Sequence, residues 1–319
     1  MADDTDLGGA LCRREGRHAE ATTEWWYFTG HLTDEQQGRY GFDLQAFVLT
    51  DVEYTVRGHE FTKAYEVDSA ISDLSTGQFH SSIRRLLPCP WFRMDEQLLD
   101  VRLGATQITA VEPLAYRLRT RWDDQAIDLE ARATRKPVAH GDGGWVEMGG
   151  AGGSHYWSVT RLETTGVLII DGQRRAVTGQ CWMDHQWGSW DRIAVPSWDW
   201  FSLRLADGTD VMAYRFADGT SGATVCRADG TSATTTFSYE STGAWTSPAT
   251  GTTYPSGWRV QIPLLDAQLV VTPELVDQEL VSGTSGYWEG LCAVTGSVAG
   301  ADADGVAYVE LAGYSRTMV

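Results

Sequence analysis

Residues 198–230 read WDWFSLRLADGTDVMAYRFADGTSGATVCRADG, and this stretch decides the fold. Short runs that alternate apolar and polar residues are each followed by an Asp-Gly pair. Such a pair is typical of a tight hairpin turn, because the turn needs residues that accept a positive φ. The stretch therefore predicts an antiparallel meander. The predicted turns are at Asp207-Gly208, Asp218-Gly219, Asp229-Gly230 and, further along the chain, Asp304-Gly305.

The same β-type pattern extends through the rest of the chain. Gly and Trp are frequent, with 34 and 14 residues, and Gly-containing turns separate short segments rich in Val, Thr, Tyr, Phe and Trp. Val167–Ile170 and Leu269–Val271 are predicted to be buried strands. Helical periodicity is scarce, and a short helix is predicted only near Asp95–Leu103. The fold class predicted from these patterns is all-β.

The length of the chain predicts two domains. At 319 residues it is longer than one hydrophobic core usually supports, although a single large β domain is an alternative. Pro196 and the polar residues 189–192 are typical of a crossover between domains. We therefore expect an N-terminal β domain over residues 1–190 and a C-terminal β domain over residues 191–319.

The charge balance restricts the partners of the protein. Lys and Arg total 25 against 43 Asp and Glu, a formal net charge of -18. A strongly acidic surface repels polyanions, so nucleic acid and anionic membranes are not expected partners. The sequence starts with acidic and polar residues rather than a secretory signal, and no stretch reaches membrane-spanning length. We expect a cytoplasmic protein with no integral membrane segment.

Five cysteines are spread along the chain. An odd number without a close Cys pair argues against a thiolate zinc site and against a fully paired disulfide framework. We expect buried reduced thiols. The residues are Cys12, Cys89, Cys181, Cys226 and Cys292.

The stretch GQCWMDHQWG, residues 179–188, places an acid and an imidazole side by side in an aromatic, apolar run. Burial among Trp182, Met183 and Trp187 would raise the pKa of Asp184 and make it a proton donor near neutral pH. The alternative is structural, with Asp184 accepting backbone hydrogen bonds and His185 a satisfied core imidazole.

A second imidazole and indole lie upstream, at His155 and Trp157. A metal site could be drawn from His155, Asp184 and His185, but adjacent residues of a strand point to opposite faces. We therefore predict no metal and no cofactor.

Two further clusters combine an acid with aromatic residues, EWWY at residues 24–27 and YWEG at residues 287–290. Strand alternation sends Glu24 and Trp26 to one face, which is predicted to line a cavity. Tyr287 and Trp288 are also assigned to substrate binding. The alternative is that these aromatic residues fill a barrel core while the Glu pairs with Arg or a backbone donor.

Several of these motifs together resemble the AttH-type lipocalin-like family. That family is related to the carotenoid 1,2-hydratases, or hydroxyneurosporene synthases, and to the fungal decalin-forming Diels-Alderases. The resemblance implies two lipocalin-like β-barrel or sandwich domains with a hydrophobic pocket between them. The motifs run in family order, as Glu24–Leu32, Gly179–Gly188, Trp198–Phe201, Tyr287–Gly290 and Tyr308–Tyr314.

The hydratase pattern falls on His155, Trp157, Trp182 and Asp184. In the hydratases the Asp is thought to protonate a terminal isoprenoid double bond, after which water captures the cation. Trp182 stands where those enzymes usually have Tyr. The loss of a phenol hydroxyl argues against hydration as such, whereas an indole face still stabilises a cation.

Three functional hypotheses follow for a hydrophobic terpenoid, carotenoid or polyketide. The first is a cofactor-independent hydratase or acid-initiated cyclase, in which Asp184 is the acid, His155 orients it, and Trp157 and Trp182 hold the cation. The second is a pericyclase, a Diels-Alderase-like [4+2] cyclase of polyketide biosynthesis that acts through enforced proximity. The third is a noncatalytic carrier of hydrophobic ligands.

Overall fold

The computed structural model describes residues 15–191, 197–283 and 285–315. Cys12 and residues 192–196 of the predicted crossover, including Pro196, lie outside the described residues. Strands dominate the described chain, which confirms the predicted all-β class and its lipocalin-like character. Within those ranges, helical structure is confined to a single 3-10 turn at Pro263–Leu265, and no helix is long and apolar enough to cross a membrane.

The first sheet has thirteen strands in the part of the chain that the structure describes. They are β1 (Thr23–Asp34), β2 (Arg39–Val56), β3 (His59–Asp73), β4 (Gln78–Leu86), β5 (Arg93–Met94), β6 (Asp100–Leu103), β7 (Thr106–Glu112), β8 (Ala115–Trp122), β9 (Gln125–Ala133), β10 (Val138–Ala139), β11 (Trp145–Glu147), β12 (Gly152–Ile170) and β13 (Gln173–Trp190). Their order is β4-β3-β2-β1-β13-β12-β9-β8-β7-β6-β5, with β10 and β11 beside β12.

The remaining described strands belong to a ten-stranded sheet and a separate pair, β19 and β20. They are β14 (Trp198–Leu205), β15 (Asp210–Phe216), β16 (Ser221–Cys226), β17 (Ser232–Thr235), β18 (Ser238–Ser241), β19 (Ala244–Thr246), β20 (Thr253–Pro255), β21 (Trp258–Ile262), β22 (Ala267–Pro273), β23 (Glu279–Ser282), β24 (Ser285–Val298) and β25 (Ala301–Ala312). The order in the large sheet is β17-β16-β15-β14-β25-β24-β22-β21-β18, with β23 beside β24.

Both large sheets follow one connection rule. The first strand in sequence lies between the second strand and the last, so β1 is flanked by β2 and β13, and β14 by β15 and β25. Antiparallel neighbours can be joined by short turns. In each sheet the chain passes once from one edge of the strand order to the other, from β4 to β5 and from β17 to β18, and the later strands then lead back to the first. Each sheet curls into a half-barrel.

The chain forms two compact units. The first contains the described residues among 1–71, 82–139 and 154–190, and the second contains those among 72–81, 140–153 and 191–319. Each unit has its own apolar cluster, the first built around Trp26, Phe28 and Trp157, the second around Phe201, Trp258 and Trp288. The domain boundary at residues 190 and 191 stays a prediction.

Three of the four predicted Asp-Gly turns are present. Gly208, Gly219 and Gly230 adopt positive φ angles of 90°, 88° and 84° between consecutive strands. The preceding Asp side chain accepts the backbone N–H two residues later, as Asp207 does from Thr209 at 2.7 Å. The turn predicted at Asp304-Gly305 is wrong, because both residues lie inside β25. There a Cβ on Gly305 would come within 2.3 Å of the Arg204 carbonyl oxygen, so Gly permits close strand approach.

The predicted short helix near Asp95–Leu103 is also wrong. The side chain of Asp95 accepts the backbone N–H groups of Gln97 and Leu98 and so stabilises a turn, which leads into β6. Leu99, Val101 and Leu103 are buried at alternate positions, which is the period of a strand. The predicted strands Val167–Ile170 and Leu269–Val271 are confirmed within β12 and β22.

The cysteine prediction holds for the described thiols with one exception. Cys181, Cys226 and Cys292 are free and buried. Cys89 is free but only half-buried.

Candidate active site

The predicted catalytic residues lie on neighbouring strands of the first sheet, β12 and β13. His155 and Trp157 alternate along β12 with Tyr156 and Ser158, so the two pairs point to opposite faces. Tyr156 and Ser158 donate hydrogen bonds to Asp184. The structure therefore brings Asp184 together with Tyr156 and Ser158, and not with His155.

Asp184 is the acceptor of three side-chain hydrogen bonds and is 3% exposed. The Tyr156 hydroxyl donates to Oδ2 at 2.7 Å, and the indole Nε1–H of Trp182 donates to Oδ1 at 2.6 Å. The Ser158 hydroxyl also donates to Oδ1. We call Asp184, Tyr156, Ser158 and Trp182 the acid cluster.

Burial has the largest effect on the pKa of Asp184. Loss of hydration raises its pKa from 3.8 to about 7, although the hydrogen bonds from Ser158, Tyr156 and Trp182 oppose the rise. An acid with this pKa is present in both forms at neutral pH, which general acid–base catalysis requires. The predicted elevation of the pKa by an apolar environment agrees with this direction.

Cross-strand register places four more side chains on the face of the acid cluster. Tyr27 of β1 lies opposite Asp184 on one side and Gln45 on the other. Thr29 of β1 likewise lies between Trp182 and Asp43. Tyr27, Thr29, Asp43 and Gln45 are all buried.

The opposite face of the same strands holds a second polar group, which we call the imidazole cluster: Arg17, His18, Glu24 and His185. The carboxylate of Glu24 is fully buried. His18 Nδ1 and His185 Nε2 each lie 2.9 Å from its Oε1, and Arg17 lies 2.6 Å from its Oε2. The backbone N–H of His18 adds a bond to Oε2 at 3.0 Å.

The pKa of Glu24 is shifted in the opposite direction from that of Asp184. Burial alone would raise its pKa, but the hydrogen bonds from His18 and His185, together with the positive charges of His185 and Arg17, outweigh burial and lower the pKa to about 2. Glu24 is therefore a carboxylate at neutral pH, so both imidazoles donate N–H to it.

Aromatic rings enclose the imidazole cluster. His18 stacks on Trp187 with a centroid distance of 3.8 Å, and His155 stacks on the same indole at 5.2 Å. His185 stacks on Trp26 at 5.0 Å and meets the edge of Trp157 at 5.6 Å. Four predicted site residues, Glu24, Trp26, His155 and Trp157, are thus brought together here.

The imidazole cluster also offers ligand atoms for a cation. His18, Glu24 and His185 provide one nitrogen or oxygen each, all within 4.8 Å of one another. Arg17 already neutralises the carboxylate through Oε2. A divalent ion bound here would therefore be repelled by the positive charge of the neighbouring guanidinium. The set drawn from the sequence, His155, Asp184 and His185, is divided between two faces.

Tyr287 and Trp288 lie on β24, in the second unit. Trp288 is buried in the apolar cluster of that unit, and its indole N–H donates to the Val276 carbonyl at 2.9 Å. Tyr287 is half-buried. Their assignment to substrate binding stays a prediction, as do the catalytic and binding roles of the residues in the first unit.

Sequence reasoning missed Tyr156 and Ser158. Both stand one residue away from predicted positions, and strand alternation alone indicates that they share a face. Arg17 and His18 were missed because they precede β1 and carry no periodic signal.

The fold and the two clusters define a two-unit lipocalin-like β protein with a buried acid of elevated pKa. The chain belongs to the AttH-like family, whose sequence model matches residues 10–314. The family membership predicted from the motifs is confirmed.

Three relatives illustrate the range of this family and fold. The dehydratase asqC of Emericella nidulans is 27% identical over 217 residues, which cover 61% of this chain and 60% of that protein. A protein assigned as AttH from Nitrosomonas europaea is 25% identical, with a TM-score of 0.83 over 95% of this chain and 96% of that chain. Kievitone hydratase from Nectria haematococca shares the fold at 20% identity, with a TM-score of 0.78 over 95% and 92%.

Proposed function

We propose that the protein is an enzyme that protonates a C=C bond of a hydrophobic polyene or isoprenoid-type substrate and directs hydration or cyclisation of the resulting cation. Asp184 is the proton donor. The observation that carries the proposal is the buried carboxyl of Asp184, whose pKa is raised to about 7 while three side chains donate to its oxygens. The names hydratase and dehydratase among the relatives support this reaction class.

The acid cluster can both hold the proton on Asp184 and stabilise the carboxylate that forms when the proton leaves. A buried carboxyl gives up its proton more readily to an alkene if the carboxylate that forms is stabilised at once. The hydroxyls of Tyr156 and Ser158 and the indole N–H of Trp182 already point at the oxygens that gain the charge. Little reorganisation is needed as the carboxylate develops.

The cation formed on the substrate has a neighbour that favours it. An indole face attracts a positive charge, and Trp182 is joined to Asp184 by a 2.6 Å hydrogen bond. Water then adds to the cation and its surplus proton returns to Asp184, or an internal alkene adds and a proton is lost to Asp184. Either route restores the acid.

Tyr156, rather than His155, orients the acid in this proposal. The Tyr156 hydroxyl contacts Oδ2 directly, whereas His155 stacks on Trp187 on the other face. Trp157 shares the face of His155. We therefore assign the cation-stabilising role to Trp182, whose indole N–H donates to Asp184.

The test is product analysis with hydrophobic alkenes, starting with kievitone and terminal isoprenoids. We expect a product heavier by one water, or an isomer of unchanged mass, and loss of either product in Asp184→Asn. The matched control is Glu279→Gln, because Glu279 is a buried carboxylate that accepts hydroxyl donors from Ser247, Thr250 and Tyr254 in the second unit. Turnover at the wild-type rate in both Asp184→Asn and Asp184→Ala would overturn the proposal.

A further inference from the structure

Thr29 has an unusual environment on the face of the acid cluster. It is 1% exposed, and its hydroxyl has no hydrogen-bond partner among the described residues. A buried hydroxyl without a partner loses the hydrogen bonds it makes with bulk water, and native proteins usually satisfy such groups with a protein atom or an ordered water.

Register fixes the neighbours of Thr29. On one side it lies opposite Trp182, the residue whose indole N–H donates to Asp184. On the other side it lies opposite Asp43, a buried carboxylate whose Oδ1 accepts a bond from Gln45 at 3.0 Å. A carboxylate has about four acceptor sites, so Asp43 can accept a further donor.

We propose that Thr29 and Asp43 hold the water molecule that adds to the substrate. The inference rests on the proposed function, since it supplies the nucleophile for the cation that Asp184 generates. Directly opposed side chains of an antiparallel pair have Cβ atoms about 5 Å apart, a separation that one bridging water spans. The water donates one O–H to Asp43 and receives a bond from the Thr29 hydroxyl, which leaves a lone pair for the cation.

The bonds of the step balance. The Asp184 O–H bond breaks and a C–H bond forms, so the alkene becomes a carbocation and Asp184 a carboxylate. The water oxygen forms the C–O bond, and the proton that the resulting oxonium loses returns to Asp184. The held water thereby decides between hydration and cyclisation, because a cation without a nearby nucleophile reacts with an internal alkene or loses a proton.

The experiment compares Thr29→Val with Thr29→Ser in heavy water. Valine keeps the shape of Thr29 but removes the hydroxyl, so we expect the hydrated product to fall about tenfold or more. Deuterium should still enter the unhydrated product, because Asp184 still delivers the proton. Thr29→Ser should retain hydration. Thr164→Val is the matched control, since Thr164 is equally buried and its hydroxyl donates to its own strand, at Leu162 O.

The two levels of the proposal fail in different ways. Hydration at the wild-type rate in Thr29→Val overturns the water site and leaves the acid role of Asp184 standing. Loss of hydrate and of deuterium incorporation together in Thr29→Val also overturns it, because the variant would then affect protonation. Deuterium incorporation that survives in Asp184→Asn overturns the proposed function instead.

A crystal structure tests the same site without a substrate. We expect an ordered water within hydrogen-bond distance of the Thr29 hydroxyl and of the Asp43 carboxylate in the wild type, and its loss in Thr29→Val. A wild-type map in which another side chain fills this space, with no water, would contradict the inference. Circular dichroism of each variant checks that folding is retained.

Discussion

The first strands of the two large sheets each carry a buried carboxylate on the core face, and the two are held by different chemistry. In β1, Glu24 binds Arg17 and two imidazoles. In β14, Asp199 binds Arg215 and the phenol hydroxyls of Tyr239 and Tyr314, the latter at 2.6 Å. Both acids therefore have one guanidinium and two further side-chain donors.

The difference between these partners separates an acid held by imidazoles from an acid held by phenols. Imidazole is the side chain whose ordinary pKa lies closest to neutrality. Burial, and next the charge of Asp199, raise the pKa values of Tyr239 and Tyr314 far above neutral pH. The phenols therefore stay protonated donors at any physiological pH. We infer that Asp199 anchors structure, whereas Glu24 of the first sheet is held by two imidazole side chains.

The largest expected effect concerns the pH dependence of stability. Because the pKa of Asp184 is raised in the folded state, its contribution is fully present below about pH 4 and is lost as pH rises through about 7. The loss amounts to about 4 kcal/mol. Asp184→Asn should therefore unfold at a higher denaturant concentration than the wild type at pH 7 but not at pH 4. Equal shifts at both pH values would contradict the raised pKa.

Glu24→Gln should give the next largest effect. It leaves the charge of Arg17, whose side chain is 6% exposed, without its carboxylate, and breaking a buried pair in this way costs about 3 kcal/mol. Urea unfolding of the full chain, followed by Trp fluorescence, measures the loss. A double variant with Arg17→Met should recover part of it, and no recovery would show that Arg17 is not the group left uncompensated.

Asp199→Asn should cost less than Glu24→Gln. The side chain of Arg215 is 43% exposed and can be solvated after the carboxylate is lost, so we expect about 1 kcal/mol. The same urea experiment on the full chain carrying Asp199→Asn provides the comparison. A loss as large as that of Glu24→Gln would remove the distinction between the two networks.

The smallest expected effect distinguishes tyrosines of the two sheets. Tyr156→Phe removes a donor that lowers the pKa of Asp184, so the pH profile of turnover should move upward by up to about one unit. Tyr314→Phe removes a donor to Asp199 and should lower stability by about 1 kcal/mol without moving that profile. A shift of the pH profile of turnover in Tyr314→Phe would contradict the distinction between the tyrosines of the two sheets.

Much of the fold is readable in the sequence, because β structure follows from local chemistry. Gly208, Gly219 and Gly230 lie at positive φ after an Asp that bonds its own turn. Gly305 carries the same Asp-Gly signal, but there the Gly accommodates a neighbouring strand. The difference depends on the pairing of β25 with β14, which no local pattern encodes.

The candidate site was predictable in part for the same reason. The apolar residues that flank Asp184 in the chain are enough to indicate a raised pKa. The partner of Asp184 does not follow from sequence, because His155 and Tyr156 are adjacent and only the pairing of β12 with β13 decides which one faces it. Arg17 and His18 reach Glu24 from outside the strands, and Thr29 meets Asp43 only through register.

Asp184 and His185 are consecutive in the chain, yet one belongs to the acid cluster and the other to the imidazole cluster. Gly179 fixes their setting, since a Cβ there would come within 2.1 Å of the His31 carbonyl oxygen and force β13 out of step with β1. Gain or loss of a single codon between Gly179 and Asp184 would turn both side chains to the opposite face and exchange their environments. Evolution can therefore retune this segment by replacing residues far more easily than by changing its length.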